Sequence, residues 1–254
     1  MAVAARHYRV LAEALREAGF EAIVVPRRGF ADGPEPDSGV NAPGPGTDWG
    51  YADEATDLAD AVGRARERNP VGDVLVLGHS LGAQLAVLAA ADPATPSAQR
   101  PDAIVAVGAS VPYHRHYPAN GLDVAGLAAQ VMATTEAEGY WPAPGFGAPA
   151  PYTLMRDWAS MVRTGSLPGE ARLDLPVGVP ALTIRLHGDT LVTAGAADRF
   201  DALIAPADLT TWTYRSGDGD GSHDGTVDHI TWIRTPVQPV AAMRRWWLER
   251  RPPR

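Results

Sequence analysis

The sequence predicts an α/β protein with a doubly wound, mostly parallel sheet. Apolar runs of strand length alternate with helical patterns along most of the 254 residues, as in strand–helix–strand units. The run at 74–77 is apolar throughout, which is expected of a parallel strand with both faces buried. It leads directly into Gly-His-Ser-Leu-Gly at 78–82 and then into strong helix formers at 83–91. The rest of the chain is interpreted around this strand, turn and helix.

The Gly-x-Ser-x-Gly turn predicts that Ser80 is a nucleophile. A serine between a strand and a helix forms a nucleophile elbow, in which the hydroxyl projects above the sheet from a strained, very tight turn. We expect glycine at 78 and 82 because a Cβ there would collide with the neighbouring strand or helix. The start of the following helix also favours developing negative charge. The alternative is an ordinary glycine-rich turn.

Before this turn, the pattern predicts a helix over 8–18, a short strand at 21–25 and an amphipathic helix over 53–68. A loop rich in Gly, Pro and Asp separates the last two, at 27–48. After the turn, residues 102–107 read as the next buried strand. Further elements are predicted as a strand at 180–186, a helix over 194–204, a strand at 209–214 and a last helix over 237–249, which Trp246 and Trp247 would pack on the sheet.

The alternation of strands and helices breaks at 111–179. This span contains much of the aromatic and proline content and two predicted helices, over 122–138 and 152–164. We therefore expect a helical cap at 111–179, inserted into a core formed by 1–110 and 180–254.

Composition excludes several classes of function. The net charge of −8 argues against nucleic acid or an anionic membrane as a partner. Absence of cysteine excludes disulfides, a thiol nucleophile and cysteine-ligated metal, and suits a cytoplasmic protein. The sequence has no apolar run long enough to span a membrane and no secretory signal at its start. We expect a small-molecule substrate, and the oligomeric state is left open.

Two further residues complete a predicted catalytic triad. Serine needs a base, and the base needs an acid to orient it, in the chain order Ser, acid, His. Asp189 follows a buried strand, and His229 lies in the loop before the last helix. The alternatives are a turn or cap role for either residue, and His223 as the base. His79 should point away from Ser80 and bond locally.

The loop before His229 also resembles the start of a calcium site, because acidic or hydroxyl side chains alternate at 218, 220, 222 and 224. A calcium loop would close with a bidentate glutamate at position 229, where this sequence has histidine. We therefore predict a solvated acidic loop and no metal site.

With the Gly-His-Ser-Leu-Gly turn, Asp189 and Asp228-His229 in place, the sequence resembles α/β-hydrolase-fold serine hydrolases over essentially its whole length. Within them it is most similar to a bacterial group of predicted hydrolases whose substrates are unassigned. The Arg27-Arg28-Gly29 segment matches a loop of many relatives with this fold, and the segments shared with the bacterial group are Asp-Trp-Gly at 48–50, Arg-Asp-Trp at 156–158 and Asp-His-x-x-Trp at 228–232.

The resemblance has one departure, at the N-terminus. Relatives have a further upstream segment with a strand whose following loop supplies the second oxyanion donor, and here residues 1–3 align with that loop. Either the start codon is placed too late or the protein lacks the first strands, and we expect a start codon placed too late or a truncation. The resemblance implies the Leu81 N–H as one oxyanion donor and the Ala2 N–H as the other.

The sequence therefore predicts a cofactor-free serine hydrolase that cleaves an ester, thioester or amide of a small apolar substrate through an acyl-enzyme. Ester chemistry is expected ahead of peptide cleavage. The alternative is a non-hydrolytic relative, such as a cyclase, a lyase or an inactive protein of the same fold. Candidate substrate-pocket residues are the aromatic and histidine side chains of the cap, Tyr113, His114, Tyr117, Trp141 and Trp158.

Overall fold

The core of the molecule is a four-stranded parallel sheet. The structure is a computed structural model that describes residues 3–29, 42–142, 146, 148–216 and 225–250. Its strands are β1 (Leu75–His79), β2 (Ala103–Val107), β3 (Tyr140–Trp141), β4 (Ala150–Pro151), β5 (Ala181–Leu186) and β6 (Leu209–Tyr214). The parallel sheet has the order β1-β2-β5-β6, whereas β3 and β4 form a separate antiparallel pair.

Seven α-helices accompany the strands in the described residues. They are α1 (Arg9–Glu17), α2 (Tyr51–Arg68), α3 (Leu81–Ala91), α4 (Leu122–Glu138), α5 (Tyr152–Thr164), α6 (Ala194–Asp201) and α7 (Val237–Arg250). All seven predicted helices are confirmed, and α4 and α5 have the predicted bounds. Among the helices described, none is both long and apolar enough to cross a membrane.

Helices cover both faces of the sheet, as strand β2 shows. Its residues are all buried, and they alternate between two apolar clusters. Ile104 and Ala106 face the cluster that contains residues of α2 and α3, whereas Val105 faces the cluster with Trp246 and Trp247 of α7. Side chains of a strand point alternately to its two faces, so a strand buried on both must be apolar throughout. The predicted doubly wound sheet is confirmed.

Helices α4 and α5 pack against each other around an apolar cluster of their own, which includes Val131, Trp141 and Met155. Leu154 and Met161 of α5 also belong to the main core. The pair is thus anchored to the sheet layers, and its treatment as a separate cap remains a prediction.

Helices α2 and α5 cap each other's first turns. The backbone N–H of Tyr51 donates to Asp157 Oδ2 at 3.0 Å, and the N–H of Thr153 donates to Asp48 Oδ1 at 2.7 Å. The N–H groups of a first helical turn have no acceptor within their helix, so each carboxylate satisfies a donor of the other helix. These bonds give a structural role to the Asp-Trp-Gly and Arg-Asp-Trp segments.

One predicted strand is wrong. Residues 21–25 form no strand. The side chains of Ile23, Val24 and Val25 are 46%, 37% and 38% exposed. A strand requires a partner, and among the described residues this segment pairs with none; its residues and those of β1 line the same cavity. Its apolar pattern therefore remains without a ladder of hydrogen bonds.

Candidate active site

Ser80 is the single residue between β1 and α3. Its backbone has φ 53° and ψ −115°, a conformation that non-glycine residues rarely adopt. The Ser80 N–H donates to the Val107 carbonyl at 2.9 Å, and the Ser80 carbonyl accepts from the Ala83 N–H at 3.0 Å. Such strain costs about 1–3 kcal/mol and persists where the surrounding structure enforces it. Here β2 and the first turn of α3 hold the serine at the apex.

The two glycines of the turn have different roles. A Cβ on Gly78 would lie 2.4 Å from the backbone nitrogen of Ala83, so no side chain fits there. A Cβ on Gly82 would meet no atom within 4 Å. The predicted clash is therefore wrong for Gly82, because this residue lines the open cavity rather than a packed neighbour.

Asp189 and His229 lie in direct contact. His229 Nδ1 is 2.6 Å from Asp189 Oδ2, and the two side chains are only 7% and 3% exposed. The other carboxylate oxygen, Oδ1, accepts the N–H of Leu191 at 2.8 Å and that of Val192 at 3.2 Å. Because both oxygens are engaged, the carboxylate is fixed and directs a proton to Nδ1, which leaves Nε2 as the basic nitrogen.

The loop around His229 is held from two sides. A Cβ on Gly108, which follows β2 with φ +56°, would lie 3.0 Å from His229 Cε1, so the imidazole lies directly over this glycine. Asp228 Oδ1 accepts the N–H groups of Ile230 and Thr231 at 2.8 and 3.0 Å. These backbone hydrogen bonds lower the pKa of the Asp228 carboxyl, which stays ionised and closes the turn after the histidine.

Ser80 and His229 share the wall of one cavity of about 1330 Å³. In the described residues the Ser80 hydroxyl has no hydrogen-bonding partner, and catalytic hydrogen bonds commonly tighten only when substrate binds. Leu81 also lines the cavity and is the first residue of α3, so its N–H has no acceptor within the helix. The site can therefore place a serine, a base and a backbone donor around one substrate group.

The predicted pocket residues divide into two groups. Tyr117 and Trp158 line the cavity. Tyr117 donates its hydroxyl to the Leu191 carbonyl at 3.2 Å, and burial followed by the nearby Asp189 charge raises its pKa to about 12. Tyr113 and His114 pack edge to face against each other, outside the cavity wall. Trp141 is 2% exposed and lies in the cluster between α4 and α5.

Several predicted residues lie outside the described part of the chain. These are Ala2, the competing base His223, and the acidic loop residues at 218, 220, 222 and 224. Their roles remain predictions. Among the residues that the structure does describe, no group of three or more His, Asp or Glu side chains could hold a metal ion.

One buried group near the site was missed from the sequence. Gln84 of α3 accepts the Tyr51 hydroxyl at 3.0 Å and donates to the Ser110 carbonyl at 2.6 Å. It ties the loop after β2, which lines the cavity, to α2 and α3. A single glutamine in an apolar helix indicates that its amide needs hydrogen-bonding partners, but the sequence does not identify those partners.

Comparison with known proteins identifies the family. A profile of the alpha/beta hydrolase fold matches residues 4–137, which is more than half of the chain. A search of curated proteins by sequence found no match.

Solved structures show the same fold at low identity. A structure from work on LipS and LipT, two metagenome-derived lipolytic enzymes, is 16% identical, with a TM-score of 0.61 and coverage of 96% of this chain and 90% of that one. A thermophilic esterase from Thermogutta terrifontis is 17% identical, with a TM-score of 0.56 and coverage of 95% and 85%. A thioesterase domain from the curacin biosynthetic pathway is 13% identical, with a TM-score of 0.51 and coverage of 98% and 88%. The chain belongs to the α/β-hydrolase fold family.

Proposed function

We propose that the protein is a serine hydrolase that cleaves esters of small apolar acids through an acyl-enzyme. The observation that carries the proposal is the buried Asp189–His229 contact of 2.6 Å, which shares one cavity with Ser80 in its strained turn. Similar structures described as an esterase, as lipolytic enzymes and as a thioesterase domain add support at the level of reaction class.

In this proposal every chemical step has a residue to perform it. Ser80 Oγ attacks the substrate carbonyl carbon while His229 Nε2 takes the hydroxyl proton. The Leu81 N–H, at the start of α3, donates to the oxyanion of the tetrahedral intermediate. His229 then returns the proton to the departing alcohol, and the acyl-enzyme forms. A water molecule repeats the sequence and releases the acid, so no cofactor is required by the scheme.

Asp189 orients the base and stabilises the imidazolium. Its contact with Nδ1 keeps the proton there, so Nε2 faces the serine in its basic form. Burial of both side chains strengthens this electrostatic interaction, because little water screens it.

The cavity wall favours an apolar, uncharged substrate. On the side of α4 and α5 it is formed by Val124, Leu127, Phe146 and Trp158. Transfer of an alkyl chain onto such a surface contributes about 0.8 kcal/mol for each buried methylene. An acyl group of several carbons should therefore bind better than acetate, and the leaving alcohol needs no specific charge.

The test is steady-state hydrolysis of p-nitrophenyl esters from acetate to octanoate, with a thioester and an anilide of the preferred acid. We expect kcat/KM to rise with acyl length, and the ester to react faster than the amide. Ser80→Ala should lower the rate by about four to six orders of magnitude.

The matched control is Ser160→Ala, at an exposed position of α5, which should leave the rate unchanged. Wild-type turnover no faster than that of Ser80→Ala would contradict the proposal and favour a non-hydrolytic member of the family.

A further inference from the structure

His79 has a buried set of contacts that the proposed mechanism does not use. It precedes Ser80 in the chain and is 9% exposed. Its Nδ1 is 2.9 Å from the Tyr8 hydroxyl, and its Nε2 is 2.8 Å from the backbone carbonyl oxygen of His229. The sequence predicts that this histidine packs and forms local hydrogen bonds, but its partners are 71 and 150 residues away in sequence, so the local part of that prediction is wrong.

The partners determine the tautomer of His79. A carbonyl oxygen can only accept a hydrogen bond, so the proton must be on Nε2 and is donated to His229. In a neutral imidazole Nδ1 is then an acceptor, and the Tyr8 hydroxyl must donate to it. Burial, followed by the neighbouring His229, lowers the pKa of His79 to about 3, so the ring is neutral at ordinary pH.

Other groups enclose the same ring. The His79 and His229 rings lie 5.1 Å apart between centroids, and the Trp232 ring meets His79 edge to face at 5.4 Å. Tyr8 comes from the short 3-10 helix Ala5–Tyr8, His229 from the loop before α7, and Trp232 from the 3-10 helix Thr231–Arg234 that follows that loop. The charge of Asp189, which contacts His229, acts on the pKa of the ring in the opposite direction to burial. His79 therefore joins the nucleophile strand to the loop that carries the base.

The hydrogen bond of His79 acts on the backbone of the base. Asp189 fixes the imidazole of His229 at Nδ1, but a side chain is only as well placed as the peptide that carries it. The carbonyl of that peptide is fixed by His79, and the N–H groups that follow are fixed by Asp228. Asp189 thus holds the ring of the base, while His79 and Asp228 hold the main chain at and after it.

We infer that His79 is a positioning residue for the base, and that the Tyr8 hydroxyl fixes the tautomer in which His79 donates to the His229 carbonyl. The inference rests on the proposed function, in which His229 is the base. His79 makes no contact with the reacting atoms and acts through His229. A small displacement of a catalytic group can reduce a rate about a hundredfold. Loss of one hydrogen bond that holds the backbone of the base can therefore lower kcat.

Two pairs of variants separate positioning from packing. His79→Phe retains an aromatic ring but loses the donor, whereas His79→Gln places an amide N–H near the position of Nε2. His79→Asn is the matched control for glutamine, because its shorter amide does not reach the carbonyl. Tyr8→Phe leaves His79 in place and removes the donor to Nδ1.

Activity is measured as kcat and KM for the preferred p-nitrophenyl ester, per active site titrated with a fluorophosphonate. We expect His79→Phe and His79→Asn to lower kcat by about 10- to 100-fold with KM changed by less than about twofold. His79→Gln should recover most of the loss, and Tyr8→Phe should lose a few-fold. If His79→Phe does not fold, the Gln and Asn pair gives the same comparison.

The outcomes are distinct. An active wild type with unchanged kcat in both His79→Phe and His79→Asn, or equal losses in Gln and Asn, would overturn the inference and leave the proposed function standing. A wild type inert to both the ester and the phosphonate would overturn the two together.

The tautomer has a readout that does not depend on activity. In the wild type, nitrogen-15 NMR of the histidine rings should show His79 neutral with its proton on Nε2 at pH 7, and still neutral at pH 5. In Tyr8→Phe the Nδ1 resonance of His79 should shift. A proton on Nδ1 at pH 7 would overturn the hydrogen bond on which the inference depends.

Discussion

The two sides of Ser80 differ in how densely they are bonded. On the side of β2 and β5, Asp189 makes three hydrogen bonds, His229 is held at its ring and its carbonyl, and the strands around them are fully paired. On the side of β1, which is an edge strand of the sheet in the described residues, the segment 20–28 lines the cavity without forming a strand, and Ile23 is 46% exposed. The proposed acid and base thus lie on the first side, and the segment without a strand lies on the second.

This difference shows which contacts the nucleophile turn requires. Ser80 retains its strained backbone through the Val107 carbonyl of β2 and the first turn of α3, and neither contact involves residues 21–25. The turn therefore does not depend on a strand at 21–25. We expect changes on the packed side to affect both rate and stability, and changes along the open side to affect neither strongly.

The largest expected effect is on the acid. Asp189→Asn should lower kcat by about ten-thousand-fold, because an amide can hold His229 in the wrong tautomer and cannot stabilise the imidazolium. Steady-state ester hydrolysis measures it. The control is Asp198→Asn on α6, which removes one partner of an ion pair with Arg185 of β5 and should leave kcat unchanged. Equal rates for Asp189→Asn and the wild type would remove Asp189 from the mechanism.

The two glycines of the turn give the next largest contrast. Gly78→Ala should destabilise the fold by more than about 4 kcal/mol, since its Cβ would lie within 2.4 Å of the α3 backbone. Gly82→Ala should be neutral or stabilise by about 0.5–1 kcal/mol, because the position is helical and open. Urea denaturation of both variants measures the difference. A similar loss in both would mean that the cavity beside Gly82 is filled in solution.

The pH dependence of stability should report the buried His79. Its pKa is about 3 in the folded protein and about 6.5 when unfolded, so below pH 6.5 the unfolded chain takes up a proton that the folded chain does not. The contribution of His79 to the free energy of unfolding therefore falls as pH decreases from 6.5 toward 3.

His79→Gln lacks that proton, so its free energy of unfolding should fall less steeply between pH 6.5 and 4 than that of the wild type. Tyr8, His229 and Asp189, which face His79, are present in both proteins and cancel in the comparison. Parallel slopes for the two proteins would mean that folding does not lower the pKa of His79.

The smallest effect is expected on the open side. Ile23→Thr should change the free energy of unfolding by less than about 0.5 kcal/mol, because the side chain is 46% exposed. Val105→Thr, at a fully buried position of β2, should lower the free energy of unfolding by about 1–3 kcal/mol because the threonine hydroxyl would be buried. Thermal unfolding of the two variants compares the sides directly. A larger loss at Ile23 would reverse the comparison.

The sequence predicted the helices, strands and turn whose formation depends mainly on residue type and on the spacing of apolar residues. The apolar run of β1, the Gly-x-Ser-x-Gly turn, α3 and the bounds of α4 and α5 follow from periodicity and residue type. The segment 21–25 has the same kind of pattern but no partner strand beside it in the described structure, and pairing is not a local property.

Contacts between distant residues could not be predicted in the same way. Gly108 beneath His229 and His79 bonded to the His229 carbonyl depend on how the loops meet in the fold. Neither a glycine after a strand nor a histidine before a serine identifies its neighbour. The pairing of Asp189 with His229 was predicted from the chain order Ser, acid, His and from their places after a buried strand and before the last helix, and its geometry came from the structure.

The most direct test of the account is the intact mass of the protein after treatment with a fluorophosphonate, with Ser80→Ala and His229→Ala treated alongside. We predict one adduct, mapped to Ser80, that is absent in Ser80→Ala and much slower to form in His229→Ala. No adduct in the folded wild type, or an adduct on another residue, would contradict an activated serine at position 80.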